Sequence, residues 1–373
     1  MRRFLMGIIV VGLIGTTSCM QEQEAQGVET PEPVVYEGPK MPKNIIFMIG
    51  DGMGLAQITA ALIAQRDALN LERCTVIGLC KTNSGDNLIT DSAAGATAFS
   101  TGKKTYNGAI GVDMDTLPLT TILEIAEQNG LATGLVATSS ITHATPASFI
   151  SHQKSRMMDE EIAMDFMKTD IDVFIGGGKK FFEKRTDHQN LLDQLRSNGY
   201  TVATGLEEIN AVSNGKLAGF IADEQPRKVT EGRGQVLAAA TMKAIELLSM
   251  NEKGFFIMAE GSQIDWGGHA NDSEYIISEM EDFDYTVGKV LDFAEANGET
   301  LVIITADHET GGYGIVGGDI EAGTVETRFL TDYHTATMVP VFAYGPGAEA
   351  FAGTYHNTAI FNKMMACLAL NAN

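Results

Sequence analysis

Residues 44–49 (NIIFMI), which are followed by Gly50 and Asp51, decide the class of fold. Their five consecutive apolar residues leave no polar face, which predicts a strand buried on both sides, as strands are in parallel sheets covered by helices. Three further segments have the same character: residues 131–138 (LATGLVAT), 255–259 (FFIMA) and 301–306 (LVIITA). The core of the protein is therefore predicted to be a parallel sheet.

Helical patterns separate these runs. They cover residues 120–128, 235–248 and 274–296, and the first of them is followed by the stop signal Asn129-Gly130. Strands that alternate with helices predict an α/β fold with a mostly parallel central sheet flanked by helices on both faces. Ligands of such sheets bind beyond the carboxyl ends of the strands. Four polar residues that can bind a metal follow the four runs: Asp51, Thr145, Glu260 and Asp307.

Residues 179–233 are more polar, with a helical pattern at residues 190–197. This segment is predicted to be an excursion from the sheet or a small cap, and not an independent domain. The glycines at 176–178 lack the Gly-Lys-Ser/Thr ending of a phosphate loop, so a turn is the favoured interpretation.

The composition limits the classes of partner. The chain has 373 residues, 44% of them hydrophobic, and carries 26 Lys and Arg against 48 Asp and Glu, a net charge of −22. This balance supports a large core and argues against a nucleic-acid-binding surface or a broad anionic-membrane surface. A small anion remains possible if bound cations reverse the local field.

The N-terminus resembles an export signal. Arg2 and Arg3 precede an apolar run at residues 4–14, which is too short to span a bilayer, and small residues follow. Residues 1–18 are predicted to be a signal peptide, and Cys19 resembles the lipid-modified cysteine of a bacterial lipoprotein. The proline-rich residues 19–43 read as a tether, and the folded domain covers residues 44–373. We expect a periplasmic or cell-envelope location with membrane anchoring through Cys19.

The other cysteines leave two possibilities open. Cys74 and Cys80 are close enough in sequence to form a disulfide in an oxidising compartment, and they could equally be two small buried residues. Cys367 would be left over in either case.

A small-residue segment at residues 90–102 (TDSAAGATAFSTG) carries a candidate nucleophile. Asp91 suits an N-cap and Gly102 a C-terminal stop, so Ser92 is predicted to lie in the first turn of a helix, where free N–H groups favour an anion. A serine needs a base or a metal to become a nucleophile. Taken alone, the segment is equally compatible with an ordinary buried helix.

Three of the seven histidines stand near carboxylates. They are His269, four residues after Asp265; His308, beside Asp307; and His334, two residues after Asp332. Imidazoles with carboxylates suit Zn²⁺, whereas Asp, Thr and Glu oxygens suit Mg²⁺. Because residues 267 and 268 are glycines, the 265–269 segment is predicted to be a loop.

Six stretches in order make the chain similar to the alkaline phosphatase family from about residue 44 to the C-terminus. They are residues 49–54 (IGDGMG), 90–94 (TDSAA), 143–147 (HATPA), 260–265 (EGSQID) with His269, 305–312 (TADHETGG), and His334 before residues 339–343 (VPVFA). The resemblance implies hydrolysis of small phosphate monoesters with broad tolerance of leaving groups, at an alkaline optimum, by a protein that is commonly a homodimer.

The resemblance also implies roles for particular residues. Ser92 would be the nucleophile that becomes a phosphoserine, Arg156 would grip two phosphate oxygens, and Asp91 would orient Arg156. Two zinc ions and one magnesium ion would be bound. Their ligands would be Asp265, His269 and His334 for the first zinc, Asp51, Asp307 and His308 for the second, and Asp51, Thr145 and Glu260 for the magnesium.

Some positions stay open. His143 and Trp266 stand where the family varies, which leaves the identity of the third ion undecided, and His152 and His356 match no ligand position. A sulfatase would need a Cys/Ser-x-Pro-x-Arg setting that Ser92 lacks, and a phosphodiesterase would be a weak side activity. A catalytically silent, metal-stabilised surface lipoprotein would need neither Ser92 nor Arg156.

Overall fold

The computed structural model describes residues 41–370. The strands in this range are β1 (Asn44–Gly50), β2 (Val76–Lys81), β3 (Ala132–Ser140), β4 (Val173–Gly177), β5 (Tyr200–Thr204), β6 (Lys216–Phe220), β7 (Phe255–Gly261), β8 (Thr300–Thr305), β9 (Glu309–Thr310), β10 (Gly314–Asp319), β11 (Thr324–Arg328), β12 (His334–Thr335), β13 (Val339–Tyr344) and β14 (Gly353–His356).

The α-helices of the same range are α1 (Leu55–Gln65), α2 (Ser92–Thr101), α3 (Ile122–Gln128), α4 (Ala144–Ala147), α5 (Asp159–Asp165), α6 (Lys180–Glu183), α7 (Leu191–Ser197), α8 (Gly205–Ala211), α9 (Val236–Leu248), α10 (Gln263–His269), α11 (Ser273–Asn297) and α12 (Thr358–Cys367). Short 3₁₀ turns occupy Asn70–Arg73, Val229–Glu231 and Ala348–Phe351.

Ten strands form one sheet in the order β14-β2-β13-β8-β1-β7-β3-β4-β6-β5. Every strand pair is parallel except the two that β13 makes with β2 and β8. This arrangement confirms the predicted mostly parallel α/β fold. The central strands β8, β1, β7 and β3 all point their carboxyl ends toward the same edge, which is where the candidate metal ligands follow them.

The apolar runs form the central strands of the sheet, and helices cover both faces of these strands. Every residue of β1, β3, β7 and β8 is buried. Helix α11 contacts both α1 and α9, whereas α2 contacts α3, α4 and α12. These two groups of helices exclude water from the sheet. Strands that are covered on both faces carry no polar face, as the apolar runs do.

The predicted helices begin and end within two residues of their predicted bounds. Thr121 caps α3 in a capping box with Glu124, and the Asn190 side chain accepts hydrogen bonds from the first turn of α7. Helix α9 starts directly after Gln235, and α11 is a 25-residue helix that ends at Gly298 in the left-handed conformation. Local capping signals therefore located these boundaries.

Residues 179–233, predicted to be an excursion or cap, instead carry β5 and β6, which extend the central sheet at one edge. The segment reads as polar because β5 is the outermost strand and exposes Thr201 and Thr204. The glycines at 176–178 also differ from the predicted turn. Gly176 and Gly177 belong to β4, and only Gly178, with a φ of 86°, turns the chain.

Cys74, Cys80 and Cys367 are free and buried, so the interpretation as small buried residues is the one that applies. Burial raises the pKa of the Cys74 and Cys80 thiols to about 12, which keeps them protonated. Among residues 41–370, no helix combines the length and the apolar character that crossing a bilayer requires. The predicted signal peptide, Cys19 and the tether up to residue 40 lie outside the described residues.

Candidate metal centre and active site

The predicted ligands converge at the carboxyl edge of the central strands. Asp51 directly follows β1, Glu260 lies at the end of β7, and Asp307 follows β8 by two residues. Gly52 makes this approach possible, because its φ is 75° and a Cβ there would lie 2.7 Å from the Cα of Asp265. Strand order thus brings together residues that are more than 250 positions apart in sequence.

Asp265, His269 and His334 form a first trio. His269 Nε2 lies 3.4 Å from Asp265 Oδ2, His334 Nε2 lies 3.5 Å from Asp265 Oδ1, and the two Nε2 atoms are 3.2 Å apart. The predicted loop at 265–269 is wrong, since these residues belong to α10. Gly267 and Gly268 serve packing there, because a Cβ on either would come within 2.8 Å of Ile276 or Thr310. The helix places Asp265 and His269 one turn apart on one face.

Asp51, Asp307 and His308 form a second trio next to Ser92. His308 Nε2 lies 3.2 Å from Asp307 Oδ2, 3.6 Å from Asp51 Oδ1 and 3.2 Å from Ser92 Oγ. His308 also groups with Asp265 and His334 in a set whose ligand atoms lie within 4.8 Å of one another. The two trios therefore adjoin, and Ser92 lies at the second.

A third group contains a residue that the sequence left undecided. Ligand atoms of Asp51, Glu260 and His143 lie within 4.8 Å of one another, and Asp51 is shared with the second trio. Thr145, the predicted third ligand, is fully buried on the short helix α4. His143 itself could have been found from sequence only as the residue two before Thr145.

Each histidine of the two trios is oriented through its other ring nitrogen. His269 Nδ1 donates to the carbonyl of Asp332 at 2.6 Å, and His334 Nδ1 donates to the carbonyl of Thr90 at 2.8 Å. His308 Nδ1 lies 3.2 Å from Thr310 Oγ1. These contacts orient the three rings so that each Nε2 atom faces the site, as metal-ligating histidines require.

Thr310 links the two trios, although the sequence analysis assigned it no role. Its hydroxyl donates to Asp265 Oδ1 at 2.5 Å, and its backbone pairs with His334 in the β9–β12 bridge. Glu309 supports this bridge by accepting from Gln57 Nε2 at 2.9 Å and from the hydroxyl of Thr335. Such outer contacts hold ligands in place before a metal binds.

Several fully buried oxygens of these groups have no hydrogen-bond partner in the described structure. They are both carboxylate oxygens of Asp51, Asp307 Oδ2, Glu260 Oε1 and Thr145 Oγ1. Buried polar atoms are nearly always paired, so a cluster of orphaned oxygens beside neutral imidazoles fits divalent cations. The donor set fits a centre that binds more than one divalent cation.

The electrostatics point the same way. Burial and the charges of Asp307 and Asp265 raise the pKa of Asp51 well above its usual value, and burial with the charge of Asp265 raises that of Asp307 to about 7. Burial also raises the pKa of Glu260 to about 7, although Ser262 and Ser139 donate to it. Burial lowers the pKa of His308. Bound cations would relieve this carboxylate repulsion.

Ser92 lies at the start of α2, as predicted. Asp91 is the N-cap and accepts from the backbone N–H of Ala94 at 3.0 Å, and Gly102 ends the helix with a φ of 71°. Gly95 lets the helix approach the site, since a Cβ there would lie 3.1 Å from the Cβ of Asp307. The start of a helix, where N–H groups lack acceptors within the helix, favours an anion.

Two side chains hold Arg156: those of Asp91, which directly precedes Ser92, and of His143. Its Nη1 donates to Asp91 Oδ2 at 3.1 Å, and its Nη2 donates to His143 Nε2 at 3.3 Å. Burial and the charge of Arg156 lower the pKa of His143 to about 3, so His143 is a neutral acceptor. Trp266 packs edge-on against the His143 ring at 6.0 Å. A fixed guanidinium of this kind suits bidentate recognition of phosphate.

His152 and His356 lie outside the site, as the sequence analysis indicated. His152 Nε2 is 3.0 Å from Glu124 Oε1, and its Nδ1 donates to the carbonyl of Gly111 at 2.8 Å. His356 is exposed at the end of β14. His152 thus has a structural role in which one carboxylate and one carbonyl satisfy the ring.

The ion pair between His152 and Glu124 predicts that the free energy of unfolding depends on pH. Although burial opposes the charge, Glu124 and the Gly111 carbonyl raise the pKa of His152, and His152 with Thr121 lowers that of Glu124. The pair therefore stabilises the fold fully below the unfolded histidine pKa of about 6.5, and this contribution is lost as pH rises through the raised folded value. We expect His152→Gln to cost roughly 1 kcal/mol more of unfolding free energy at pH 6 than at pH 9.

Denaturant unfolding of both proteins at the two pH values, at one zinc concentration, measures this difference. His356→Gln is the matched control, and its deficit should not grow toward pH 6. An equal deficit of His152→Gln at pH 6 and pH 9 would show that the pair is not charged.

Fold and site together define a metal-dependent hydrolase of the α/β class. The family model described as alkaline phosphatase matches residues 42–329. The chain belongs to the alkaline phosphatase family, whose members are phosphoric monoester hydrolases.

Individual members of the family are similar to this chain over most of their length. Alkaline phosphatase 3 of Bacillus subtilis (strain 168) is 35% identical, with 88% of this chain and 89% of the relative covered. Alkaline phosphatase of Escherichia coli (strain K12) is 34% identical, with 89% and 87% covered. The structure of alkaline phosphatase from the Antarctic bacterium TAB5 has a TM-score of 0.85 and 46% identity, over 90% of this chain and 100% of that chain. A histidine-to-aspartate mutant of the TAB5 enzyme has Mg bound in its M3 site.

Proposed function

We propose that the protein hydrolyses phosphate monoesters through a phosphoserine formed on Ser92, with two zinc ions and one magnesium ion bound. The observation that carries this proposal is the position of Ser92 Oγ, 3.2 Å from His308 Nε2 at the start of a helix and beside Arg156. A silent structural metal site would need neither a serine at a helix N-terminus nor a half-buried arginine held by the residue before that serine.

The first trio would hold one zinc ion through Asp265, His269 and His334, and the second trio would hold another through Asp51, Asp307 and His308. Asp51, Thr145 and Glu260 would hold the magnesium ion. When bound, these ions supply positive charge that stabilises the attacking oxygen and the oxygen of the leaving group.

The residues of this chain then have separate tasks. Arg156 and the N–H groups of the first turn of α2 orient the phosphoryl group, and Asp91 holds Arg156 in place. Ser92 Oγ attacks phosphorus as the P–O bond to the leaving group breaks, and water later cleaves the phosphoserine to release phosphate. Two in-line displacements give net retention at phosphorus. Because recognition centres on the phosphoryl group, discrimination among leaving groups should be modest.

Arg156→Ala should weaken phosphate binding more than it slows the chemistry. The guanidinium offers charge-assisted hydrogen bonds, each worth about 1.5–3 kcal/mol, so we expect the inhibition constant of inorganic phosphate to rise at least roughly tenfold. Competitive inhibition kinetics measure it, with zinc content and melting temperature as controls. Arg156→Lys should recover only part of the loss, because an ammonium group cannot bind two oxygens in one plane. An unaltered inhibition constant in Arg156→Ala would remove Arg156 from the site.

His143 bears on the third ion. The TAB5 mutant in which a histidine became aspartate has Mg bound in its M3 site. In this chain His143 groups with Asp51 and Glu260, and its neutral ring adds no negative charge. We propose that magnesium binds here through Asp51, Thr145 and Glu260 beside a neutral His143.

The remaining parts of the proposal concern the whole chain. Residues 1–18 would direct export to the periplasm or cell envelope, a lipidated Cys19 would anchor the protein to a membrane, residues 19–43 would be the tether, and residues 44–373 would act as one phosphatase domain. A homodimer is proposed from the family resemblance. Metal analysis combined with a panel of phosphate monoesters, diesters and sulfate esters tests the activity, and turnover of sulfate esters or diesters alone would overturn it.

A further inference from the structure

Tyr333 places an aromatic ring at the edge of the first trio. Its ring lies 4.3 Å from the His334 ring at an interplanar angle of 8°, and 6.0 Å from the ring of His269. The side of His334 that faces away from Tyr333 stacks on His308 at 3.5 Å. Tyr333 is therefore the outermost ring of a three-ring column that includes ligands of both trios.

The column leaves the tyrosine open to solvent. Tyr333 is 44% exposed, although large aromatic side chains are mostly buried. Its backbone is fixed, because its carbonyl accepts from Gly311 N at 2.9 Å and its N–H donates to Thr331 Oγ1 at 3.1 Å. A rigid aromatic face beside a catalytic centre is a surface on which a flat group can stack at little entropic cost.

The ring lies directly beside two ligands of the first trio. Because Ser92 Oγ lies at the second trio and the proposed displacement is in line, the departing oxygen would lie on the opposite side of phosphorus, toward His269 and His334 of the adjoining first trio. Tyr333 packs against both of these histidines.

We propose that Tyr333 is a specificity-determining residue that favours phosphate monoesters with planar aromatic leaving groups. This inference rests on the proposed function. Offset stacking of two aromatic rings adds about 0.5–1.5 kcal/mol beyond the area buried. A polyol or short alkyl leaving group has no such face and gains little from the ring. Recognition of the phosphoryl group itself does not involve Tyr333.

The experiment compares one aromatic and one aliphatic substrate in the zinc- and magnesium-loaded protein. For Tyr333→Ala we expect kcat/KM for 2-naphthyl phosphate to fall roughly 2- to 10-fold relative to glycerol 2-phosphate. Tyr333→Phe keeps the ring and should retain the wild-type ratio. Tyr285→Ala removes a half-exposed tyrosine in the middle of α11 and should leave both substrates unchanged.

Binding provides a second readout. Calorimetry with non-hydrolysable naphthylmethylphosphonate and methylphosphonate should show weaker binding of the aromatic compound alone to Tyr333→Ala, with zinc content unchanged. Tyr333→Ala could instead lower kcat/KM equally for both substrates and weaken binding equally for both phosphonates, or leave the ratio of the two kcat/KM values unchanged. Either result would mean that Tyr333 only supports His334, and the inference would be overturned. A wild-type protein that hydrolyses neither substrate would instead contradict the proposed function.

Discussion

Ser92→Ala is expected to lower turnover of p-nitrophenyl phosphate by about three orders of magnitude or more, because removal of a nucleophile that acts with its surroundings as a unit has effects of this size. The hydroxyl has no substitute nearby, since alanine leaves only a methyl group at the start of α2. The trios do not depend on it, because their histidines are oriented by the carbonyls of Thr90 and Asp332 and by Thr310. Steady-state kinetics and metal analysis of the same preparation measure both effects.

Ser100→Ala is the matched control for this variant. Ser100 lies on the same helix, is equally buried and donates to the backbone carbonyl of Ser148 at 2.5 Å, away from the metal groups. It should lower stability without a comparable loss of turnover. Unchanged turnover in Ser92→Ala with zinc bound would assign the nucleophile elsewhere.

Chelation should remove activity and much of the thermal stability together. The buried carboxylates of Asp51, Asp307 and Glu260 repel one another, and burial raises the pKa of each, so the metal-free fold bears a cost that bound cations relieve. A ligand at a thousand times its dissociation constant stabilises the native state by about 4 kcal/mol. With several ions, we expect the melting temperature to fall by roughly 10 °C or more.

Calorimetry before and after treatment with a chelator measures the shift, and zinc with magnesium should restore both properties. Chelated Ser92→Ala should lose as much stability as chelated wild type, because the ions and not the reaction stabilise the fold. A chelated wild-type protein that keeps its activity would contradict the metal assignment.

The central strands were predictable because runs of consecutive apolar residues indicate burial on both faces. In β1 and β8, a run of apolar side chains has no polar face, and only a covered parallel sheet accommodates it. The polar residues that follow these strands then had to meet at one edge. The cap of α2 was equally local, since Asp91 and Gly102 satisfy the two ends of the helix by short-range bonds.

The errors arose where tertiary contacts override local preference. Gly267 and Gly268 favour a loop by propensity, yet α10 forms because small residues allow close packing on Ile276 and Thr310. Residues 179–233 read as peripheral because β5 is an edge strand whose exposed polar residues resemble those of a surface segment. The pairing of β5 with β6 is long-range information that composition does not contain.

In the site, too, some features could be predicted from the sequence and others depend on tertiary contacts. The candidate ligands could be identified by residue type and position, but the grouping of His143 with Asp51 and Glu260 could not, because it depends on how α4 sits against β7. The bond of Thr310 to Asp265 likewise depends on two segments that are 45 residues apart in sequence. Tyr333 had no sequence signal, since an isolated tyrosine before a histidine has many possible environments.

The central claim is that two adjoining carboxylate–histidine groups bind cations around Ser92 and so turn an acidic protein into a phosphate-binding site. Diffraction from crystals grown with zinc, magnesium and inorganic phosphate, recorded above and below the zinc absorption edge, tests it most directly. Two anomalous peaks should appear, one among Asp265, His269 and His334 and one among Asp51, Asp307 and His308, with phosphate between Ser92 and Arg156. Absence of anomalous scattering at both trios, or phosphate bound away from Ser92, would contradict it.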